Sequence, residues 1–179
     1  MSTPPVGISS LRSLSVTLLT VFSSASLASG FALIEQSASQ MGNAFAGGAA
    51  FANDASTIFF NPAGMTRLPT QLVGGLHYVR PTAKFSGSAT DIFGTPIAGG
   101  DGGDASNAGL VPNLYFTTPL GDGLFAGLGI NVPFGLSTEY NDGWKGRYHA
   151  IESEVTTINF NPSLAYKVNN QLSVGAGFS

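Results

Sequence analysis

From Thr70 to the end of the chain, apolar residues recur at every second position. Leu124, Ala126, Leu128, Ile130 and Val132 alternate with Phe125, Gly127, Gly129 and Asn131. Ile158, Phe160, Pro162, Leu164 and Tyr166 alternate with Thr157, Asn159, Asn161, Ser163 and Ala165. Leu172, Val174, Ala176 and Phe178 alternate with Ser173, Gly175, Gly177 and Ser179. Successive side chains on a strand point to opposite faces, so each run makes a ribbon with one apolar face and one face of small or polar residues. Weaker runs over 71–79 and 110–117 bring the count to about five strands.

A soluble sheet would dress its outer face with charge, and this chain has little to spend. Only 9% of its residues are charged, against roughly 25% in a typical soluble domain. Disorder is excluded by the opposite sign, because 11% of the residues are aromatic. No apolar stretch approaches the ~20 residues of a spanning helix. The seven Lys and Arg are scattered, so no basic patch exists for nucleic acid. With no Cys, neither a disulfide framework nor a thiolate metal site can form from these residues.

The connections decide between a soluble sandwich and a membrane barrel. Residues 80–109 and 133–154 form long connections, whereas the turns at 119–123 and 169–170 are tight. Long and short connections therefore alternate, as in outer-membrane barrels with short periplasmic turns and long outward loops. The fold expected is all-β, a transmembrane antiparallel barrel. Five strands cannot close in lipid, where each open backbone group costs several kcal/mol, so residues 70–179 read as the N-terminal part of a longer barrel.

Upstream of the strands lie two different segments. Arg12 precedes an apolar stretch from Leu14 to Phe22 and then the small residues of SSASLASG. That order describes a secretory signal over residues 1–28, cleaved after Ala28. Residues 29–69 are rich in small side chains and show no period of two. Asn53 and Asp54 can cap a turn near Ala55, and Asn61-Pro62 reads as a cap followed by proline at the first helical position, with one turn over 62–65. Helices this short cannot stand alone, so the segment needs a container.

Taken in order, these residues resemble the FadL/TodX family of outer-membrane transporters for long-chain fatty acids and hydrocarbons. The resemblance rests on Gly30-Phe31-Ala32-Leu33-Ile34-Glu35, the Gly42–Gly48 run, Ala52-Asn53-Asp54-Ala55 and Asn61-Pro62-Ala63-Gly64-Met65. Val111-Pro112-Asn113 and the run from Gly135 to Asn141 are similar to the same family. The family implies a fourteen-stranded barrel whose lumen holds an N-terminal hatch of short helices, here residues 29–69 with the motif Asn61, Pro62 and Ala63. It also implies a ligand pocket touched by Phe31, Ile34 and Phe134, and a lateral gap at a kinked third strand, mapped to Pro133, Phe134 and Gly135. The partners implied are fatty acids or hydrocarbons and outer-membrane lipid, for a monomer without cofactor or metal in the Gram-negative outer membrane. Pro133 cannot donate to a ladder and Gly135 invites a bulge, which agrees with a kink; the alternative is that the strand simply ends there.

Other constellations carry less. His77 and His149 lie on different segments without ligand-spaced partners. The stretch from Gly99 to Asp104 offers oxygen ligands for Ca²⁺, but a plain mobile loop is the favoured reading. Gly127 and Gly129 are followed by no helix pattern, so they make room in the lumen for the hatch rather than binding a nucleotide. Trp144, Tyr140 and Tyr148 belong either to an aromatic girdle or to a groove between the outward loops. No nucleophile, base and acid come together, and the function expected is passive uptake of hydrophobic molecules, most of all long-chain fatty acids. Uptake of aromatic hydrocarbons, or a structural or adhesive barrel without transport, are the alternatives.

Overall fold

The computed structural model describes residues 31–179; the signal expected over 1–28 lies outside the described residues. Seven strands form: β1 Gln71–Val79, β2 Gly109–Gly121, β3 Leu124–Asn131, β4 Gly135–Glu139, β5 Glu152–Thr156, β6 Asn159–Lys167 and β7 Ser173–Gly177. β1, β2, β3, β6 and β7 build one antiparallel sheet in that order, and β4 pairs with β5 in a two-stranded extension. The chain thus meanders, each main strand pairing with the next. The β2–β3 turn has φ values of 103° at Gly121, 50° at Asp122 and 78° at Gly123. Glycine is favoured on both sides because this left-handed region is costly for a side chain with a Cβ.

Alternation sorts the two faces of the sheet in the reverse of a soluble protein. Leu72, Leu76, Leu110, Leu114, Phe160 and Leu164 are exposed, with Leu76 at 66% and Leu110 at 64%. His77, Asn113, Thr117, Asn131 and Ser163 on the opposite face are buried. An outward apolar face and a covered polar face are stable together when the outward face meets lipid. Transmembrane strands need ~9–11 residues, a length that β1, β2 and β6 supply.

Residues 31–69 cover the polar face. They contain α1 Ala38–Met41, α2 Thr57–Phe60 and a 3-10 helix over Pro62–Arg67. Ser37 caps α1, its Oγ accepting from Gln40 N. Asn61 Oδ1 accepts from Ala63 N at 3.2 Å and Pro62 opens the 3-10 helix, which runs on to Arg67 rather than stopping after one turn at Met65. Ala55, Ile58 and Met65 form a core with Tyr115 of β2 and Ala165 of β6. Gly127 lies beneath this cluster, where a Cβ would run into the Met65 sulfur and come within 2.7 Å of Ile58 Cδ1. Placing Leu at Gly127 should therefore cost about 1–3 kcal/mol by overpacking, read as a lower unfolding midpoint of the refolded barrel.

Asp54 ties the two short helices together. Its Oδ1 accepts from Ser56 N at 2.9 Å and its Oδ2 from Ser39 Oγ at 2.5 Å. Partial burial pushes the carboxyl up, but the hydrogen bonds from Ser39 and Ser56 outweigh it and hold Asp54 below the usual carboxylate value. A depressed folded value means stability that is present above the unfolded pKa and lost as pH falls through the folded one. Asp54→Asn, which cannot accept from both donors, should weaken this junction by about 1 kcal/mol and flatten its loss in acid, both measurable in denaturant titrations at two pH values.

The long connection over 133–154 is not wholly irregular. It contains β4 and the start of β5, which runs on to Thr156, because the β-branched and small residues Ser137, Thr138, Val155 and Thr156 resume pairing beyond Pro133.

Candidate functional site

The third strand is broken by one extra residue. The β3–β6 ladder ends at the pair Asn131–Asn159, and the β4–β5 ladder begins at Gly135–Thr156. Between these pairs Val132, Pro133 and Phe134 oppose only Thr157 and Ile158, which makes a β-bulge. Phe134 is held on its partner strand by Thr157: Thr157 N donates to Phe134 O at 2.9 Å and Phe134 N donates to Thr157 Oγ1 at 3.1 Å. Pro133 has no N–H to offer, and the carbonyls of Val132 and Pro133 turn away from the ladder.

The N-terminal segment receives those carbonyls. Leu33 N donates to Pro133 O at 2.9 Å, and Ala32 forms an antiparallel bridge with Phe134. Gln36 Nε2 donates to Val132 O at 3.0 Å and to Leu33 O at 3.0 Å, while Gln36 Oε1 accepts from Asn131 Nδ2 at 2.8 Å. Tyr115 donates its hydroxyl to Gln36 O at 2.9 Å, and Asn131 Oδ1 accepts from Asn159 Nδ2 at 3.1 Å. Gln36 is fully buried, and among the described residues no buried side-chain N or O lacks a partner. A buried carboxamide whose two N–H groups and oxygen are all paired fixes its segment more firmly than apolar contact alone, because each unmade bond would cost about 1–3 kcal/mol.

The structure brings some of the expected site residues together and separates others. Phe31 adjoins the bridge to Phe134, and both are half-buried; Ile34 follows shortly after and is 66% exposed. Pro133, Phe134 and Gly135 form the bulge and its exit, where a Cβ on Gly135 would approach Val132 Cγ1 to 2.9 Å and Leu33 Cδ1 to 3.2 Å. Asn61, Pro62 and Ala63 lie elsewhere, beside β7, with Asn61 Nδ2 donating to Ala49 O at 2.9 Å. Gln36, Tyr115, Asn131 and Thr157 are missing from the sequence reading as site residues. Only the inward parity of Asn131 and Thr157 hinted at them.

The outward loops pack into a cap with a groove. Trp144 stacks on Tyr140 at 3.9 Å and meets Phe85 edge-on at 5.7 Å, while its Nε1 donates to Ala150 O. Trp144 and Tyr140 thus knot the two loops together, whereas Tyr148 lines a groove of about 690 Å³ with Ile92, Pro96, Ile97, Arg147 and His149. Arg147 lies over the Tyr148 ring at 4.7 Å and donates to Ala98 O at 2.9 Å. The acidic stretch is engaged within the cap: Asp101 pairs with Lys145 at 2.8 Å, and Asp104 accepts from Ala83 N and Ser106. Hydrogen bonds from the Ala83 N–H and Ser106 hold Asp104 below the usual carboxylate range. His77 Nε2 is 2.9 Å from Asn113 Nδ2 on the buried face, far along the chain from exposed His149. Among the described residues, no three or more His, Cys, Asp or Glu gather in one place.

Comparison with known proteins agrees with this architecture. The chain is 36% identical over 177 residues to outer membrane protein P1 of Haemophilus influenzae, covering 93% of this chain and 39% of that protein. It is 35% identical over 152 residues to the long-chain fatty acid transport protein of Escherichia coli, covering 84% of this chain and 33% of that one. A solved structure of a Pseudomonas aeruginosa FadL homologue superposes with a TM-score of 0.76 at 32% identity, over 83% of this chain and 37% of that one. The chain therefore spans about a third to two fifths of the length of these relatives. Residues 19–179 match the family described as outer membrane protein transport protein (OMPP1/FadL/TodX), and the chain belongs to that family of the Gram-negative outer membrane.

Proposed function

We propose that this chain is the N-terminal part of a passive outer-membrane channel for hydrophobic molecules, long-chain fatty acids foremost, with lateral release at the interrupted third strand. Residues 1–28 serve as the export signal, residues 29–69 as the plug of a fourteen-stranded barrel, and residues 70–179 as part of its wall. The observation that carries the reading is the bulge at Val132–Phe134, where the ladder of the third strand is interrupted and residues 33–36 take the freed carbonyls. The work required is desolvation, and no bond is made or broken.

The proposed path runs from the outward loops to the bulge. The loop groove offers Ile92, Pro96 and Ile97 to an alkyl chain and the Arg147 guanidinium to a carboxylate. Phe31, Ile34 and Phe134 then receive the tail beside the bulge. Burying Phe31 against an acyl chain contributes about 1.5–3 kcal/mol, so Phe31→Ala in the full-length protein should weaken oleate binding by roughly ten- to a hundredfold. A change in thermal stability with unchanged affinity would make Phe31 an anchor only. The decisive experiment is growth of a deletion strain on oleate with and without the full-length gene, with toluene uptake measured alongside. Growth restored on oleate supports the reading; toluene uptake alone restored would make the cargo an aromatic hydrocarbon, and neither restored would leave a structural or adhesive barrel.

A further inference from the structure

We propose that Gln36 is the positioning residue that keeps the bulge covered, so that opening of the lateral route is governed by one carboxamide on the N-terminal segment and not by the strand alone. The inference rests on the lateral route proposed above. A bulge frees backbone acceptors, and freed acceptors facing a lumen would ordinarily bind water and stay open. Here two successive acceptors are taken by the same short segment, Val132 O by Gln36 Nε2 and Pro133 O by Leu33 N.

Three features make Gln36 the hub of this cover. Its amide spans both sides of the break, since Nε2 binds the bulge carbonyl and Oε1 binds Asn131, the last paired residue of β3. Its own carbonyl is held by Tyr115 on the neighbouring strand, so backbone and side chain are both fixed to the wall. Its Nε2 also donates to Leu33 O, which stiffens the turn that presents Leu33 N to Pro133 O. Removing the carboxamide removes three of these bonds at once, while the contacts of Ile58 and Met65 with the core remain. The segment over 31–36 should then detach locally, leaving the rest of the plug seated.

The remaining cover is the bridge between Ala32 and Phe134, which supplies a lock. With Leu33 N bonded to Pro133 O, Ala32 and Phe134 form the narrow type of antiparallel pair, whose side chains approach closely enough for a disulfide. None of the 179 residues is cysteine, so an introduced pair would have no competitor among them.

The test uses the full-length protein in vesicles, with oleate as the probe and amide exchange read by mass spectrometry. Gln36→Leu keeps the volume and removes the bonds. It should speed exchange over 31–36 by roughly tenfold, leave Ile58 and Leu68 protected, and raise the initial rate of oleate uptake. Oxidised Ala32→Cys/Phe134→Cys should take up oleate more slowly than the same variant reduced, a comparison in which both forms lack the Phe134 ring. Unchanged exchange over 31–36 in Gln36→Leu would overturn the proposal, as would uptake in the oxidised pair equal to that in the reduced one. Failure of the transport reading itself would appear separately, as no oleate uptake by the wild-type protein, and the exchange measurement would still decide whether Gln36 holds the segment.

Discussion

Deleting Pro133 from the full-length protein should cut fatty acid uptake by about tenfold or more, a barrier increase of at least about 1.4 kcal/mol, while oleate still binds at the loops. The expectation follows from counting residues across the break. Val132, Pro133 and Phe134 face Thr157 and Ile158, so one residue must go before the ladder can run unbroken from Asn131 to Gly135. Replacement of Pro133 by Val supplies the missing N–H but leaves the extra residue, so it should close the wall only partly. The groove lined by Ile92, Ile97 and Tyr148 lies in the outward loops and is untouched by the deletion. Binding isotherms and initial uptake rates on the same preparation separate the two effects. Wild-type uptake in a variant whose straightened strand is visible in its structure would redirect the route through a displaced plug.

Gly175→Val should unseat the proposed plug and admit large polar solutes. A Cβ at Gly175 would meet backbone atoms, coming within 2.7 Å of Pro62 C and 2.8 Å of Ala63 Cα. Side-chain ends can swing aside, as Met65 could above Gly127, but the Asn61-Pro62-Ala63 backbone is fixed by its own cap and by the proline ring. The hydroxyls of Thr66 and Ser173, 2.8 Å apart, would separate with it. Overpacking of this kind costs about 1–3 kcal/mol, and the valine branches should lie at the upper end. Planar-bilayer conductance should rise well above wild type, with Gly175→Ala intermediate. Conductance unchanged in the valine variant would mean that the 3-10 helix does not rest on β7 in the membrane.

Parts of this molecule could be read from residues alone, and the reason differs from place to place. β1 is found at Gln71–Val79, the bounds expected from a weak alternation that stops where Arg80-Pro81 begins the long connection. β2 extends beyond the expected 110–117, because Gly109 and Thr118–Gly121 contribute ladder bonds without apolar alternation. The β4–β5 hairpin escapes notice for a similar reason, since Gly135-Leu136-Ser137-Thr138-Glu139 has no period of two. Pro133 and Gly135 mark the interruption through local backbone chemistry, which sequence carries directly. Gln36 is different: its partner Asn131 lies 95 residues away, and nothing in FALIEQSASQ distinguishes a carboxamide that caps a bulge from one facing water.

The 3-10 helix over Pro62–Arg67 rests on β3, β6 and β7, and α2 on β3 and β6, all within the residues described. The described strands alone supply that seat, so in the closed barrel proposed the remaining wall is not needed to hold the plug against β3, β6 and β7.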